Sequence, residues 1–247
     1  MKNYGLIGNP LSHSFSKDFF SSKFSSEGIK AVYDNYELSS LVDFHLLFKQ
    51  HNLSGLNVTI PYKEVIIPLL DDCDPLSRKI GAVNTIVPKK VDGKWILKGC
   101  NTDVYGFSQS LKGLLKSHHQ KALILGTGGA SKAAAYVLGE YGLKVNFISR
   151  SKKVENAFLW SEINENMVAQ HGIIINTTPI GMFPNTEQLV PFPYEFLNET
   201  HLVVDLIYNP KETLFLRTSK SFGAQTLNGE KMLINQALKS WEIWNKY

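Results

Sequence analysis

The sequence has only two cysteines in 247 residues, and it contains no long apolar run. Cys73 and Cys100 give neither a disulfide framework nor the ligand spacing of a metal site, so we expect no metal and a reducing, cytoplasmic environment. Residues 1–10 lack the basic segment and the following apolar stretch of a secretion signal. No stretch reaches the length of a membrane-spanning helix, so no membrane partner is expected.

Runs of charge of one sign are also missing. The net charge is +4, and basic pairs such as Lys89-Lys90 are short and scattered, so nucleic acid is not an expected partner. The mild positive charge suits a small anionic ligand instead. The length and the hydrophobic content of 43% suffice for one large domain or two smaller ones, but they leave monomer and homodimer equally open.

A glycine cluster in the second half of the chain has the clearest chemical signature. An apolar segment of β character, residues 121–125, leads into Gly126, Gly128 and Gly129, and a helix-forming segment follows at 132–138. A strand, a Gly-x-Gly turn and a helix in this order form the dinucleotide-binding turn, whose glycines let the backbone approach a pyrophosphate. An ordinary strand-to-helix turn is the alternative, because Ser131 replaces the third glycine of the pattern.

The next predicted strand, at 144–149, lacks the acidic residue with which NAD-specific sites hold the ribose hydroxyls. Ser149, Arg150 and Ser151 stand at its end instead, with Lys152-Lys153 behind them. A guanidinium group binds phosphate through fixed paired donors, so this segment predicts contact with the 2′-phosphate of NADP. A solvated basic turn is the alternative.

The first half of the chain begins with a predicted strand at 4–8, followed by a hydroxyl-rich loop and a helix at 17–27. Ser14 and Ser16 in this loop are candidates for binding a carboxylated or hydroxylated ligand. Serine is also a favoured N-cap residue, and from this segment alone helix capping is the favoured interpretation. A strand at 32–38 and an amphipathic helix at 41–50 are predicted to follow.

Lys63 is the candidate catalytic base. Residues 56–60 predict a buried strand that ends at Pro61, and proline suits the first turn of a following helix. Lys63 would then lie at a helix N-terminus, where the helix dipole favours the neutral amine. Asn57 and Thr59 cluster with it at a strand end, where α/β sheets bind their ligands. The alternative is an ordinary surface lysine.

Residues 81–99 predict a β-hairpin around the turn Asp92-Gly93. Asn84, in the first strand of this hairpin, is a candidate for a buried amide with a specific partner. Asp103 precedes a helix predicted at 104–115 and is either a cap of that helix or the carboxylate partner of Lys63. As a partner it would favour the ammonium form and leave the lysine able to give and take a proton.

Two further apolar segments, 172–176 and 201–207, predict parallel strands that end in Thr177 and Tyr208. Asn209-Pro210 follows Tyr208 and favours a position beside a turn over a place in the core. The last predicted helix, at 229–244, carries Gln236 on its apolar face, where a buried amide needs a partner. This helix is expected to pack back on the first half of the chain.

Taken in order, these segments resemble the shikimate dehydrogenase family from the first strand to the last helix. Several motifs in one order are far more specific than any single motif. The segments that carry the resemblance are Gly8-Asn9-Pro10, His13-Ser14-Phe15-Ser16, Asn57-Val58-Thr59-Ile60-Pro61-Tyr62-Lys63, Ala82-Val83-Asn84-Thr85, Asn101-Thr102-Asp103 with Gly106, Gly126-Thr127-Gly128-Gly129-Ala130, Asn176-Thr177-Thr178-Pro179-Ile180-Gly181-Met182, Asp205-Leu206-Ile207-Tyr208-Asn209-Pro210, and Gly229 with Met232-Leu233 and Gln236-Ala237.

The resemblance implies a fold of two α/β domains. The N-terminal substrate domain would span 1–103 and be rejoined by the C-terminal helix at 229–247, and a Rossmann-like NADP-binding domain would span 104–228. The implied reaction is the reversible, NADPH-dependent reduction of 3-dehydroshikimate to shikimate, a step towards aromatic amino acids.

The resemblance also assigns roles to residues. Lys63 and Asp103 would be the catalytic pair, and no residue is expected to bind a metal. The binding residues it implies are Ser14 and Ser16 for the substrate carboxylate; Thr59, Asn84, Asp103 and Gln236, with Tyr208 close by, for the ring hydroxyls; Gly126, Gly128, Gly129 and Ala130 for the pyrophosphate; Ser149, Arg150 and Ser151 for the adenosine phosphate; and Met182, Gly229 and Met232 for the nicotinamide pocket, with Thr177 as a further cofactor contact.

The chain departs from the family pattern at Lys17, Ser149 and Ser151, where proline, asparagine and threonine are usual. Three alternatives follow: an NAD-linked quinate or shikimate dehydrogenase, a folate-linked dehydrogenase of similar fold, and a catalytically silent regulator that binds the dinucleotide or a shikimate-like acid. The missing acidic residue after Phe147-Ile148 disfavours the first of these. The serine loop disfavours the second, and the presence of both Lys63 and Asp103 disfavours the third.

Overall fold

The computed structural model describes residues 1–11, 14–151 and 155–246, and in them the predicted α/β fold is confirmed. The strands are β1 (Lys2–Gly8), β2 (Ala31–Glu37), β3 (Leu53–Val58), β4 (Asp72–Cys73), β5 (Thr85–Val91), β6 (Lys94–Cys100), β7 (Lys121–Leu125), β8 (Lys144–Ser149), β9 (Ala157–Leu159), β10 (Ile173–Asn176), β11 (Leu202–Asp205) and β12 (Gln225–Leu227). The α-helices are α1 (Phe15–Ser26), α2 (Phe44–His51), α3 (Pro75–Ile80), α4 (Asp103–Leu111), α5 (Gly129–Glu140), α6 (Glu165–Gln170), α7 (Leu214–Ser221) and α8 (Glu230–Lys246).

The chain divides into two compact units, 1–102 with 237–247 and 103–236. This division differs from the expected boundaries at Asp103 and at 229–236, which lie with the second unit. The reason is packing: Met232 belongs to the same buried cluster as Phe107 of α4. A Cβ at Gly106 would lie 2.5 Å from the Met232 carbonyl oxygen, so glycine is needed for this close approach.

The first unit is built on a mixed sheet with the strand order β2-β1-β3-β5-β6-β4. β1 pairs in parallel with both β2 and β3, so the strand order reverses beside β1. β5 and β6 form the predicted antiparallel hairpin, and both turn residues, Asp92 and Gly93, have positive φ, as a two-residue type I′ turn requires. Side chains from alternate positions fill a core on each face of the sheet.

The second unit is built on a fully parallel sheet with the strand order β12-β11-β10-β7-β8-β9. Its three central strands, β7, β10 and β11, are mostly apolar and buried. Alternate residues enter opposite cores: Leu123 lies in one cluster and Ile124 in the other. β7 and β10 are neighbours although the chain runs from β7 to β8 first. The strand order therefore reverses between them, and α/β sheets bind ligands at such a switch point.

None of the helices in the described part of the chain combines the length and the apolar composition that a bilayer crossing requires.

Candidate active site

Ser14, at the end of the loop after β1, and Ser16, at the start of α1, lie in different environments. Ser14 occupies the N-cap position of α1, but its side chain makes no capping hydrogen bond. Its hydroxyl oxygen is buried and has no hydrogen-bond partner among the described residues. Helix capping, the interpretation favoured from this segment alone, is therefore wrong for Ser14. An unpaired buried hydroxyl costs about 1–3 kcal/mol, so a ligand group that accepts a hydrogen bond from Ser14 would offset that cost.

Ser16 lies in the first turn of α1 and is buried. Its side chain interacts with the phenol of Tyr33 on β2. Burial raises the pKa of Tyr33, and the hydrogen bond with Ser16 acts in the opposite direction. The Tyr33 hydroxyl donates to Asn57 Oδ1 at 2.8 Å, so Ser16 stands at the outer end of a buried polar chain. His13, quoted above with these serines, lies outside the described residues.

Asn57 and Asn84 form the centre of this polar group. Asn57 Nδ2 lies 3.1 Å from the Asn84 carbonyl oxygen and 3.0 Å from Ser240 Oγ. The Asn84 amide is held by Thr102, whose N–H donates to Asn84 Oδ1 at 2.7 Å and whose hydroxyl accepts from Asn84 Nδ2 at 2.9 Å. Asn84 is thus the predicted buried amide with a specific partner.

Lys63 does not lie at a helix N-terminus, so that prediction is wrong. Residues 59–66 form turns, and a short 3₁₀ helix follows at Ile67–Leu69. The sequence carries the reason: an α-helix from Pro61 would run into Pro68, which lacks an N–H and clashes with the carbonyl group four residues earlier. The helix-dipole argument for a neutral Lys63 therefore has no basis in the structure.

Turns nevertheless hold Lys63 and Thr59 at the end of β3. The Lys63 carbonyl oxygen accepts from Val83 N–H at 2.7 Å, which fixes the lysine backbone beside Asn84. Thr59 N–H donates to the Ile7 carbonyl oxygen, and a Cβ at Gly8 would lie 2.4 Å from the Thr59 methyl group. Lys63 and Thr59 are both half-buried. The ends of β1 and β3 therefore meet where the strand order of this sheet reverses.

Asp103, Tyr208 and Gln236 belong to the second unit. Asp103 is buried and is the first residue of α4, so its carboxylate lies in the first helical turn, as the capping alternative requires. Gln236 is buried, and its Nε2 donates to the Leu233 carbonyl oxygen at 2.9 Å. Tyr208 is half-buried after β11. Pairing of Asp103 with Lys63 stays a prediction.

The glycine turn in the second unit joins β7 to α5 as predicted. Gly126 has φ +115°, and a Cβ on it would lie 2.5 Å from Thr177 Oγ1. Gly128 is the N-cap of α5, and a Cβ on it would meet nothing within 4 Å. The Gly128 backbone therefore faces open space in front of the helix N-terminus, a geometry that fits a pyrophosphate. Gly129 and Ala130 form the first turn of α5.

Ser131, at the third position of the glycine pattern, is fully buried, and its hydroxyl donates to the Gly128 carbonyl oxygen. The Ser131 hydroxyl thus has a hydrogen-bond partner within the turn. Thr177, at the end of β10, donates its hydroxyl to the Leu125 carbonyl oxygen at 2.8 Å and so joins β10 to the same turn.

The end of β8 carries Ser149, Arg150 and Ser151. Arg150 is exposed, and Ser151 N–H donates to Ser149 Oγ at 3.3 Å, which curls the chain after the strand. Lys152-Lys153, predicted to stand behind Arg150, lie outside the described residues.

The residues predicted to line the nicotinamide pocket lie in different surroundings. Met182 is 41% exposed, whereas Met232 is buried in the core beside α4. A Cβ on Gly229 would lie 2.1 Å from the Leu206 carbonyl oxygen, so this position requires glycine to let the start of α8 approach the end of β11.

Comparison with known proteins identifies relatives of this chain. A profile of the shikimate dehydrogenase substrate binding domain matches residues 6–86. The shikimate dehydrogenase (NADP(+)) of Methanosphaera stadtmanae is 38% identical over 97% of this chain and 90% of its own. The chain belongs to the shikimate dehydrogenase family. The family resemblance of the sequence motifs is thereby confirmed.

Two solved structures of shikimate dehydrogenases extend this likeness to three dimensions. The Aquifex aeolicus enzyme superposes with a TM-score of 0.86 at 36% identity and covers 100% of this chain and 93% of its own. The Thermus thermophilus enzyme, in complex with NADP(H) and shikimate, gives a TM-score of 0.85 at 30% identity and covers 100% and 94%.

One departure from the family pattern has a local structural explanation. Lys17, where shikimate dehydrogenases usually have proline, forms an ion pair with Asp34 at 3.0 Å. Both side chains are about half exposed, so the pair contributes little to stability. Nothing in the structure explains Ser149 or Ser151.

Sequence reasoning missed Tyr33, Thr102 and Ser240 as members of the polar group in the first unit. Ser240 carried a usable signal, because it shares the apolar face of the last helix with Ala237 and Trp244 and a buried hydroxyl needs a partner. Tyr33 carried none, since a tyrosine in a predicted strand is most simply explained as part of the core.

Proposed function

We propose that this chain catalyses the reversible reduction of 3-dehydroshikimate to shikimate with NADPH. The observation that carries the proposal is the likeness over the whole chain to a structure described in complex with NADP(H) and shikimate. The chain's own geometry supports both halves of that pairing. One unit contains a cluster of buried hydroxyl and amide groups. The other contains a glycine turn with open space that a phosphate group could occupy.

NADPH supplies the hydride in this reaction. Lys63 donates a proton to the substrate carbonyl oxygen during reduction and accepts the hydroxyl proton during oxidation. Asp103 orients the substrate and Lys63. The orphaned Ser14 hydroxyl donates to the substrate carboxylate with help from Ser16, and the remaining polar residues bind the ring hydroxyls: Thr59, Asn84, Asp103, Tyr208 and Gln236.

The residues at the switch point of the second sheet would hold the cofactor. Gly126, Gly128, Gly129 and Ala130 bind the pyrophosphate, because the Gly128 position leaves space for it and α5 presents free N–H groups. Ser149, Arg150 and Ser151 bind the adenosine 2′-phosphate. Thr177, Met182, Gly229 and Met232 lie towards the nicotinamide.

A further proposal concerns the setting of the enzyme. Cys73 and Cys100 are both free and buried, which suits a reducing cytoplasm. Burial also raises the pKa of the Cys100 thiol to about 12, so the thiolate is scarce and oxidation is slow at neutral pH.

The first experiment follows the appearance of NADPH when the purified protein meets shikimate and NADP, beside NAD and beside quinate. Turnover confined to NADP and shikimate would support the reaction and the role of Arg150. Turnover with NAD or quinate would assign the protein to the rival dehydrogenase. Folded protein with no turnover in any combination would leave a binding protein that retains its pocket.

The role of Lys63 is tested by Lys63→Ala. We expect kcat to fall by about 10²–10⁴-fold with a small change in KM, the usual contribution of acid-base catalysis. Lys30→Ala, which removes an exposed lysine from the same unit, is the matched control and should behave as wild type. A Lys63→Ala enzyme with near wild-type kcat would exclude the lysine from catalysis.

A further inference from the structure

The phenol of Tyr33 belongs to the buried polar chain between Ser16 and Asn84, and the proposed mechanism gives Tyr33 itself no role. Tyr33 is 2% exposed, and its ring stacks on Phe20 of α1 at a centroid distance of 4.7 Å and an interplanar angle of 15°. This packing leaves the ring little freedom, so its hydroxyl has a fixed position within an otherwise apolar cluster. The hydroxyl donates to Asn57 Oδ1 at 2.8 Å.

The hydrogen bond from Tyr33 also constrains the side-chain amide of Asn57. With its oxygen occupied by Tyr33, the amide can present only its NH₂ group to the other side. That group lies 3.1 Å from the Asn84 carbonyl oxygen, 3.2 Å from Thr85 Oγ1 and 3.0 Å from Ser240 Oγ. Tyr33 therefore sets the orientation of the Asn57 amide, and this amide holds the backbone at Asn84.

Ser240 closes the group from the other side. Its hydroxyl lies 2.7 Å from Thr85 Oγ1 and 3.1 Å from Thr102 Oγ1. Thr102 in turn holds the side chain of Asn84 through both its N–H and its hydroxyl. Asn57 thus holds the backbone of Asn84, and Thr102 holds its side chain. Both contacts belong to one buried hydrogen-bond network.

We propose that Tyr33 is a positioning residue for the substrate: acting through Asn57, it fixes Asn84 relative to Ser16. This inference rests on the proposed function, in which Ser16 binds the carboxylate end of the substrate and Asn84 its ring hydroxyls. Ser16 and Asn57 both engage the one phenol oxygen. Tyr33 therefore sets the spacing between the two ends of the substrate pocket without touching the substrate itself.

The test is Tyr33→Phe, which keeps the ring and its stacking on Phe20 and removes only the hydroxyl. We expect the KM for shikimate to rise about three- to tenfold, the usual net contribution of one hydrogen bond, while the KM for NADP stays within twofold. A merely structural effect on this aromatic cluster would appear equally in a second tyrosine-to-phenylalanine variant of the same cluster.

Tyr4→Phe is the matched control. Tyr4 lies in the same aromatic cluster, and its buried hydroxyl has no partner among the described residues. The control should leave both KM values unchanged. Ser240→Ala removes the opposite member of the network on a helix that tolerates alanine, and it should raise the shikimate KM alone, by a smaller factor.

The outcomes separate the two hypotheses. Wild-type protein with no shikimate turnover would overturn the proposed function, and the positioning role would fall with it. With an active wild type, equal rises in both KM values, or no difference between Tyr33→Phe and Tyr4→Phe, would overturn the positioning role alone. If Tyr33→Phe does not fold, an unchanged shikimate KM in Ser240→Ala would overturn it.

Discussion

Asp205 is a carboxyl group with no exposed surface, held at the end of β11 by three donors. Thr213 Oγ1 donates at 2.6 Å, Asn176 Nδ2 at 3.0 Å and the Ile207 N–H at 3.1 Å. Burial raises the pKa of Asp205 to about 6, and these hydrogen bonds act in the opposite direction. Since Asn176 also holds Thr178, this one carboxyl group joins the loops after β10 and β11.

The raised pKa predicts a pH dependence of stability. Because the folded protein binds the Asp205 proton more tightly than the unfolded chain, its contribution to the free energy of unfolding falls as the pH rises from about 4 to about 6. The loss is about 3 kcal/mol for a shift of about two pKa units. Asp205→Asn removes the titration, so wild type should lose stability relative to the variant over this window.

Urea denaturation at a series of pH values from 4 to 7 measures this difference. Asp34→Asn, which removes a half-exposed carboxylate, is the control and should show no loss of the same sign. A wild-type minus Asp205→Asn difference that stays constant from pH 4 to 7 would mean that Asp205 is not the titrating group.

At the scale of single elements, two glycines in the turn between β7 and α5 differ in their expected roles. Gly126 should matter for folding, and Gly128 should matter for NADP binding. Alanine at Gly126 would require φ +115° and place Cβ against Thr177, whereas alanine at Gly128 meets open space at an ordinary φ of −81°. We expect Gly126→Ala to destabilise the fold by about 1–3 kcal/mol. Gly128→Ala should leave stability within about 0.5 kcal/mol and weaken NADP binding instead, because the new methyl group occupies the phosphate position.

Thermal denaturation and NADP titration of both variants distinguish these effects. Gly139→Ala, a position in α5 where a Cβ also meets nothing within 4 Å, controls for alanine in the helix. Normal NADP affinity in Gly128→Ala would count against a pyrophosphate at this turn.

The elements that could be predicted from the sequence are those whose signal is local. A short apolar run predicts the strand at 121–125. Glycine marks both the hairpin turn at Asp92-Gly93 and the turn after that strand. The helix expected after Pro61 does not form, because Pro68 lies about two helical turns further along the chain. The hydrogen bond from Tyr33 to Asn57 could not be predicted from local signal, because it joins residues 24 positions apart.

At the scale of the whole molecule, the first unit is discontinuous and depends on the end of α8. Trp244 is 4% exposed, its Nε1 donates to the Ile86 carbonyl oxygen at 3.0 Å, and its ring lies 4.9 Å from that of Tyr4. Gly55 has no room for a Cβ because the Trp244 ring would lie 2.5 Å away. The tail therefore completes a core that residues 1–102 cannot fill by themselves.

Trp244→Ala should consequently destabilise the first unit by about 3–5 kcal/mol, the usual cost of emptying a buried tryptophan site. The second unit is continuous and has separate cores, so NADP binding should persist at urea concentrations that abolish shikimate turnover. Trp160→Ala, in the second unit, should reverse this order and weaken NADP binding first. Simultaneous loss of turnover and NADP binding in both variants would show that the two units unfold as one cooperative body.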